Sequence, residues 1–185
     1  MTVENLQYKI PATVETLRDR LPDFAKDIRL NLSSILKEDP SSGLSLNQIY
    51  GVALASAYAT RHPEVIAAVL SDSSAILSPE GVNAAKSAAT IMAMNNIYYR
   101  FVHLVHDAEF SKIAVGLRMN VIANPGIVRV DFELYALAVS AINGCGLCIE
   151  SHTKVVEHGG ITKHGIQHAV KIAAVLNAVA QALSI

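Results

Sequence analysis

A chain of 185 residues suits one domain, or two small subdomains sharing a core, and its 51% apolar content is enough to fill one. Fifteen basic residues stand against sixteen acidic ones, for a net charge of −1 without any basic run, which excludes a nucleic-acid binder that works by neutralising phosphates. With 17% charged residues and a mean hydropathy of +0.34, some apolar surface is expected to be covered by another subunit, so the chain is read as a homo-oligomer.

Met1 to Arg20 carries Glu4, Lys9, Glu15 and Arg18 and no apolar stretch of signal-peptide length, so a cytoplasmic location is expected. Breakers then divide the chain: Pro11, Pro22, Asp39-Pro40-Ser41-Ser42-Gly43, Pro63, Pro79, Asn124-Pro125-Gly126 and Gly159-Gly160. Asp23 to Leu36, with Phe24, Ile28, Leu32 and Ile35 at spacings of four, four and three, reads as an amphipathic helix. Leu46 to Thr60 is apolar and alanine-rich without period-two alternation, so it too reads as helix. Ser78-Pro79 is a helix start, with a serine cap followed by proline at the first helical position. Met92, Met94, Tyr98 and Tyr99 are assigned to core or subunit interface, with an access channel as the weaker alternative. Val130 to Ile142 reads as an apolar helix stopped by Asn143-Gly144, and Thr162 caps a last helix that runs to Leu183. His168 and Lys171 interrupt that last segment, and no apolar run reaches the roughly 20 residues of a membrane span. Leu46–Ala57 and Phe132–Ala141 both end in Ser-Ala, a hint of duplication too slight to build on. The expectation is one all-α domain over residues 1–185, a compact bundle of about nine helices without strands.

The chemistry is concentrated in Cys145-Gly146-Leu147-Cys148-Ile149-Glu150-Ser151-His152. The chain has only two cysteines, and in a reducing compartment a close pair is more readily redox-active or metal-binding than a structural staple. Just past Gly144, Cys145 is expected in the first turn of a helix, where free N–H groups and the positive end of the dipole favour thiolate. Positions 145, 148 and 152 fall on one helical stripe, which brings the His152 imidazole within reach of a thiol proton, whereas Glu150 points elsewhere. A carboxylate on the preceding helix would orient that histidine, and spacing alone leaves Glu133 and Asp131 equally eligible.

Glu133, Cys145, Cys148 and His152 together resemble the Glu-x11-Cys-x-x-Cys-x3-His pattern of the alkylhydroperoxidase D (AhpD) family. The likeness extends to Lys26–Ser34, Met94-Asn95-Asn96, Gly116–Asn120 and Ala123–Gly126, and covers about residues 21 to 183. It implies a carboxymuconolactone decarboxylase-like helical fold, a homotrimer, and an antioxidant peroxidase or peroxiredoxin-reducing activity. By position, Cys148 would be the peroxidatic thiol that becomes a sulfenic acid, and Cys145 the proton donor and resolving thiol of a Cys145–Cys148 disulfide; Glu133 and His152 would form a proton relay. No cofactor would be bound. The implied electron donor is dihydrolipoamide on a lipoyl-bearing 2-oxoacid dehydrogenase component, with a peroxiredoxin as second partner. Leu147 departs from the family, where histidine or tyrosine often precedes the second cysteine.

Three other uses of the same residues compete. The cysteines could be two buried small hydrophobes. They could ligate zinc with His152 and His158, although a single Cys-x-x-Cys lacks the second ligand pair of common structural sites. A redox-sensing oligomer without turnover would use the same dithiol. Lactone or decarboxylation chemistry, which the superfamily name suggests, needs no dithiol and does not follow from fold kinship.

Overall fold

The computed structural model describes residues 13–185; Pro11 and most of the stretch read for a signal sequence lie outside the described residues. Ten α-helices and one 3-10 turn follow in chain order: α1 (Val14–Asp19), the turn Asp23–Ala25, α2 (Lys26–Ile35), α3 (Leu46–Thr60), α4 (Pro63–Ser73), α5 (Pro79–Leu104), α6 (Ala108–Lys112), α7 (Asn120–Ala123), α8 (Arg129–Asn143), α9 (Gly146–His158) and α10 (Lys163–Ser184). No strand occurs among the described residues, so the fold is all-α as expected. The helix count exceeds about nine because the stretch after α5, which has no proline or glycine breaker before Gly116, is divided by backbone geometry. His106 adopts φ 53° and Asp107 caps Glu109, so the chain restarts as the short helix α6.

Local signals set most boundaries. Ser45 and Gln48 form a reciprocal capping box at α3, Ser78 accepts the Gly81 N–H ahead of Pro79 at α5, and Thr162 accepts the Gly165 N–H at α10. The segment expected as one helix from Asp23 to Leu36 is a 3-10 turn followed by α2. Of its four apolar positions only Leu32 is fully buried, Ile28 and Ile35 are half-buried, and Phe24 is exposed. Pro22 starts the chain in a tighter turn than an α-helix allows, which takes Phe24 out of phase with the others.

Helices α3 and α8 lie at the centre. Each packs against α5 and α10 and against the other, while α9 lies on α8 and α5. Phe132 to Ser140 are buried without interruption, as in a helix surrounded on all sides. By length and composition α10 could cross a membrane, but it is a core helix here: Ile172, Leu176 and Val179 are buried as it packs on α2, α3 and α8. Apolar side chains remain uncovered near the end of α5 and beyond, including Ile97, Phe101, Leu104 and Ile113.

Gly51 lets the two central helices approach. A Cβ there would overlap the ring of Tyr135, whose phenol is held well above its ordinary pKa, first by burial and then by Asp131. Gly51→Ala should therefore destabilise the fold by about 1–3 kcal/mol despite the better helix propensity of alanine. Thermal unfolding would read this as a Tm lower by roughly 2–4 °C per kcal/mol. The double variant with Tyr135→Leu should lose less than the sum of the two single losses. An unchanged Tm in Gly51→Ala would show that α3 and α8 can separate freely.

Candidate active site

The site begins at the turn between α8 and α9. Gly144 takes φ 67°, and the Cys145 N–H closes back on the Ser140 carbonyl at 3.2 Å, which ends α8 and turns the chain in two residues. Polar groups of α5, the buried Asn96 and the exposed Arg100, hold this turn. Asn96 Nδ2 donates to Ser140 Oγ at 2.9 Å, Asn143 Nδ2 donates to Asn96 Oδ1 at 2.9 Å, and Arg100 Nη1 donates to the Asn143 carbonyl at 2.7 Å.

Cys145 is the cap of α9 rather than a member of its first turn, and the Cys148 N–H points at its sulfur from 3.3 Å. A helix N-terminus thus faces Cys145 Sγ, an arrangement that favours negative charge there whenever the sulfur is reduced. Cys145 and Cys148 are joined as a disulfide, with Cα atoms 5.3 Å apart. Cys145 is fully buried, whereas Cys148 lines a cavity of about 420 Å³ between α5, α8 and α9.

His152, one turn further along α9, is also buried, and its Nδ1 lies 2.6 Å from Glu133 Oε2. Of the two carboxylates that spacing left open, Glu133 reaches the imidazole, while Asp131 accepts a hydrogen bond from Gln48 Nε2 at 2.8 Å on α3. A carboxylate acceptor at Nδ1 keeps the proton on that nitrogen and turns Nε2 away from α8. Arg129 lies one turn before Glu133, 3.6 Å from Oε1, and its exposed side chain adds little to the pair. Glu150 faces solvent and pairs with Lys154, as the stripe implied.

Met92 and Asn95, distant in sequence, complete the site. The Met92 sulfur lies 3.2 Å from His152 Nε2, and Asn95 and Tyr99 continue the same face of α5 along the cavity. Met92 is buried in the core as expected, and with Tyr99 it also lines this cavity, which is the weaker alternative weighed for that stretch; their i, i+7 spacing with Asn95 between them was the available signal. Leu147 adds an apolar side chain to the lining. His158, weighed as a fourth zinc ligand, sits at the far end of α9 against the Lys154 carbonyl, 2.6 Å from Nδ1. Among the described residues no three His, Cys, Asp or Glu side chains are grouped for a metal ion.

A model of the carboxymuconolactone decarboxylase family matches residues 108–185. The chain is 58% identical over 168 residues to the alkyl hydroperoxide reductase AhpD of Coxiella burnetii strain RSA 493, which covers 91% of this chain and 95% of that protein. It is 54% identical over 168 residues to the protein of the same name from Rhodopseudomonas palustris strain BisA53, covering 91% of both. A third, from Rhodospirillum centenum, is 52% identical over 171 residues, covering 92% of this chain and 90% of its own.

Glu133 is 3% exposed, so His152→Phe would leave a buried carboxylate without its nearest partner. A loss of roughly 3 kcal/mol is expected in denaturant unfolding. Adding Glu133→Gln should recover part of it, since the uncompensated charge is then gone. Additive losses would show that the two side chains do not depend on one another.

Proposed function

Because the chain belongs to the AhpD family of alkyl hydroperoxide reductases, we propose that it is an antioxidant thiol peroxidase that reduces hydroperoxides with the Cys145–Cys148 dithiol. The observation that carries this reading is the division between the two sulfurs. Cys148 faces the cavity beside the Glu133–His152 pair, while Cys145 is enclosed behind it at the helix N-terminus.

In the reduced protein, His152, oriented by Glu133, takes the Cys148 proton. The thiolate attacks the terminal oxygen of the hydroperoxide: an S–O bond forms, the O–O bond breaks, and sulfur is oxidised by two electrons to sulfenic acid. The leaving alkoxide takes the Cys145 proton and departs as an alcohol. Cys145 is suited to that role because the Cys148 N–H and the helix dipole stabilise the thiolate left behind. Cys145 then attacks the sulfenic sulfur, closing the disulfide, and the hydroxide released takes the proton held by His152 and leaves as water.

Dihydrolipoamide on a lipoyl-bearing 2-oxoacid dehydrogenase component is the proposed reductant. Its first thiolate reaches Cys148 through the cavity, Cys145 leaves as the stabilised thiolate, and its second thiol resolves the mixed disulfide intramolecularly. The same Cys148 sulfur would exchange with a partner peroxiredoxin. The homotrimer that the family resemblance implies would cover apolar side chains left exposed around the end of α5. A cytoplasmic location fits a site that must be re-reduced after every turnover.

Two experiments test this reading. Turnover of an organic hydroperoxide should be sustained by dihydrolipoamide and be much slower with glutathione at matched thiol concentration. His152→Phe and Glu133→Gln should each slow it roughly 10²- to 10⁴-fold, with the double variant close to the worse single. A single stoichiometric oxidation with no turnover would instead make the chain a sensor, and equal rates with both reductants would remove the lipoyl role. In the second experiment, a sulfenic-acid probe applied to peroxide-treated Cys145→Ser should label Cys148. Label on Cys145 in Cys148→Ser, with none on Cys148 in the converse variant, would reverse the two roles.

A further inference from the structure

Asn95 is 3% exposed and lines the cavity with Cys148 and His152, yet its carboxamide oxygen is buried without a hydrogen-bond partner. Its neighbour Asn96, equally buried, is bonded to Ser140 and Asn143. The polar side chains that build the α8–α9 turn are thus satisfied, and the one that faces the cavity is not. A buried amide with no partner weakens the fold unless something else supplies the missing hydrogen bond. We propose that the Asn95 carboxamide binds the –O–O–H group of the hydroperoxide and holds it against Cys148. The proposal rests on the peroxidase reading above.

The chemistry of the two groups matches. A carboxamide offers an acceptor oxygen and an N–H₂ donor side by side, and a hydroperoxide needs both: its terminal O–H donates and its inner oxygen accepts. Met92, Tyr99, Met119, Ile122 and Leu147 leave the rest of the lining largely apolar, fit for an alkyl substituent. With the carboxamide oxygen on the terminal O–H, that proton stays on the oxygen that becomes the sulfenic hydroxyl. The amide N–H then points at the inner oxygen, where negative charge collects as the O–O bond breaks and before the Cys145 proton arrives. An N–H aimed at developing charge favours the transition state over the bound substrate.

The test is Asn95→Leu in the full chain, with Asn95→Ala as the variant that adds no bulk. Stopped-flow oxidation of the reduced protein by tert-butyl hydroperoxide should slow by roughly 10- to 100-fold, the loss expected for a hydrogen bond to a developing charge. Alkylation of Cys148 by iodoacetamide and reduction of the disulfide by dihydrolipoamide should keep their wild-type rates, because neither involves an O–O bond. The Tm should hold or rise, since no internal hydrogen bond is lost. Undiminished peroxide oxidation in both variants would overturn the proposal while leaving the peroxidase reading intact. So would equal losses in alkylation and oxidation, which would place the effect on the thiol, or a fall in Tm in both variants, which would make Asn95 structural. A wild-type protein whose thiols do not react with the hydroperoxide would instead overturn the peroxidase reading itself.

Discussion

A carboxylate inside a helix enclosed on every side is tolerated only where a polar group meets it. In this fold that group is His152, 2.6 Å from Glu133. The requirement sets the position of α9 against α8, because the imidazole must come to Glu133 while Cys145 remains at the head of the same helix. About 3.6 residues per turn then place Cys148 between them, on the side that opens to the cavity. The order of burial along α9 follows from this one pairing: an enclosed sulfur, a sulfur at the cavity, and an imidazole tied to the core.

The long helix α5 supports that arrangement in two ways. Asn96 and Arg100 bind the end of α8 and its turn, so the point where Cys145 emerges is held by buried or charge-assisted hydrogen bonds rather than by a free loop. Met92 and Asn95 form a wall of the cavity, with the Met92 sulfur also 3.9 Å from Asn96 Nδ2. One helix therefore carries two kinds of polar residue a single position apart, one bonded within the protein and one left open.

The two sulfurs occupy unlike surroundings. A helix N-terminus acts on Cys145, which is absent from the cavity lining, and the Glu133–His152 pair shares that lining with Cys148. A sulfur that is stabilised as an anion leaves easily, and one that is reachable is attacked first. The two properties fall on different atoms, and the proposed function rests on that division: oxidation and re-reduction would both pass through Cys148, with Cys145 as acid and leaving group.

Much of this was legible without coordinates, because it depends on neighbours a few residues apart. Ser78-Pro79, Thr162 and Asn143-Gly144 mark helix ends by local hydrogen bonding and backbone conformation, and the stripe of Cys145, Cys148 and His152 follows from helical period alone. Composition likewise spoke against phosphate neutralisation, since no charge run exists to supply it. What depends on chain segments meeting across the core was not legible. Spacing left Glu133 and Asp131 equal, and only the packing of α3 and α9 on α8 sends one to His152 and the other to Gln48. Met92 and Asn95 lie about fifty residues before the cysteines, and their helical spacing puts them on one face of α5 without saying that this face meets Cys148 and His152. The break before α6, where His106 turns to positive φ, is announced by no glycine or proline, although Asp107 caps the new helix locally. Hydrogen bonds and periodicity within one helix are written locally, whereas the partner of a buried side chain is decided by which surfaces the completed fold brings together.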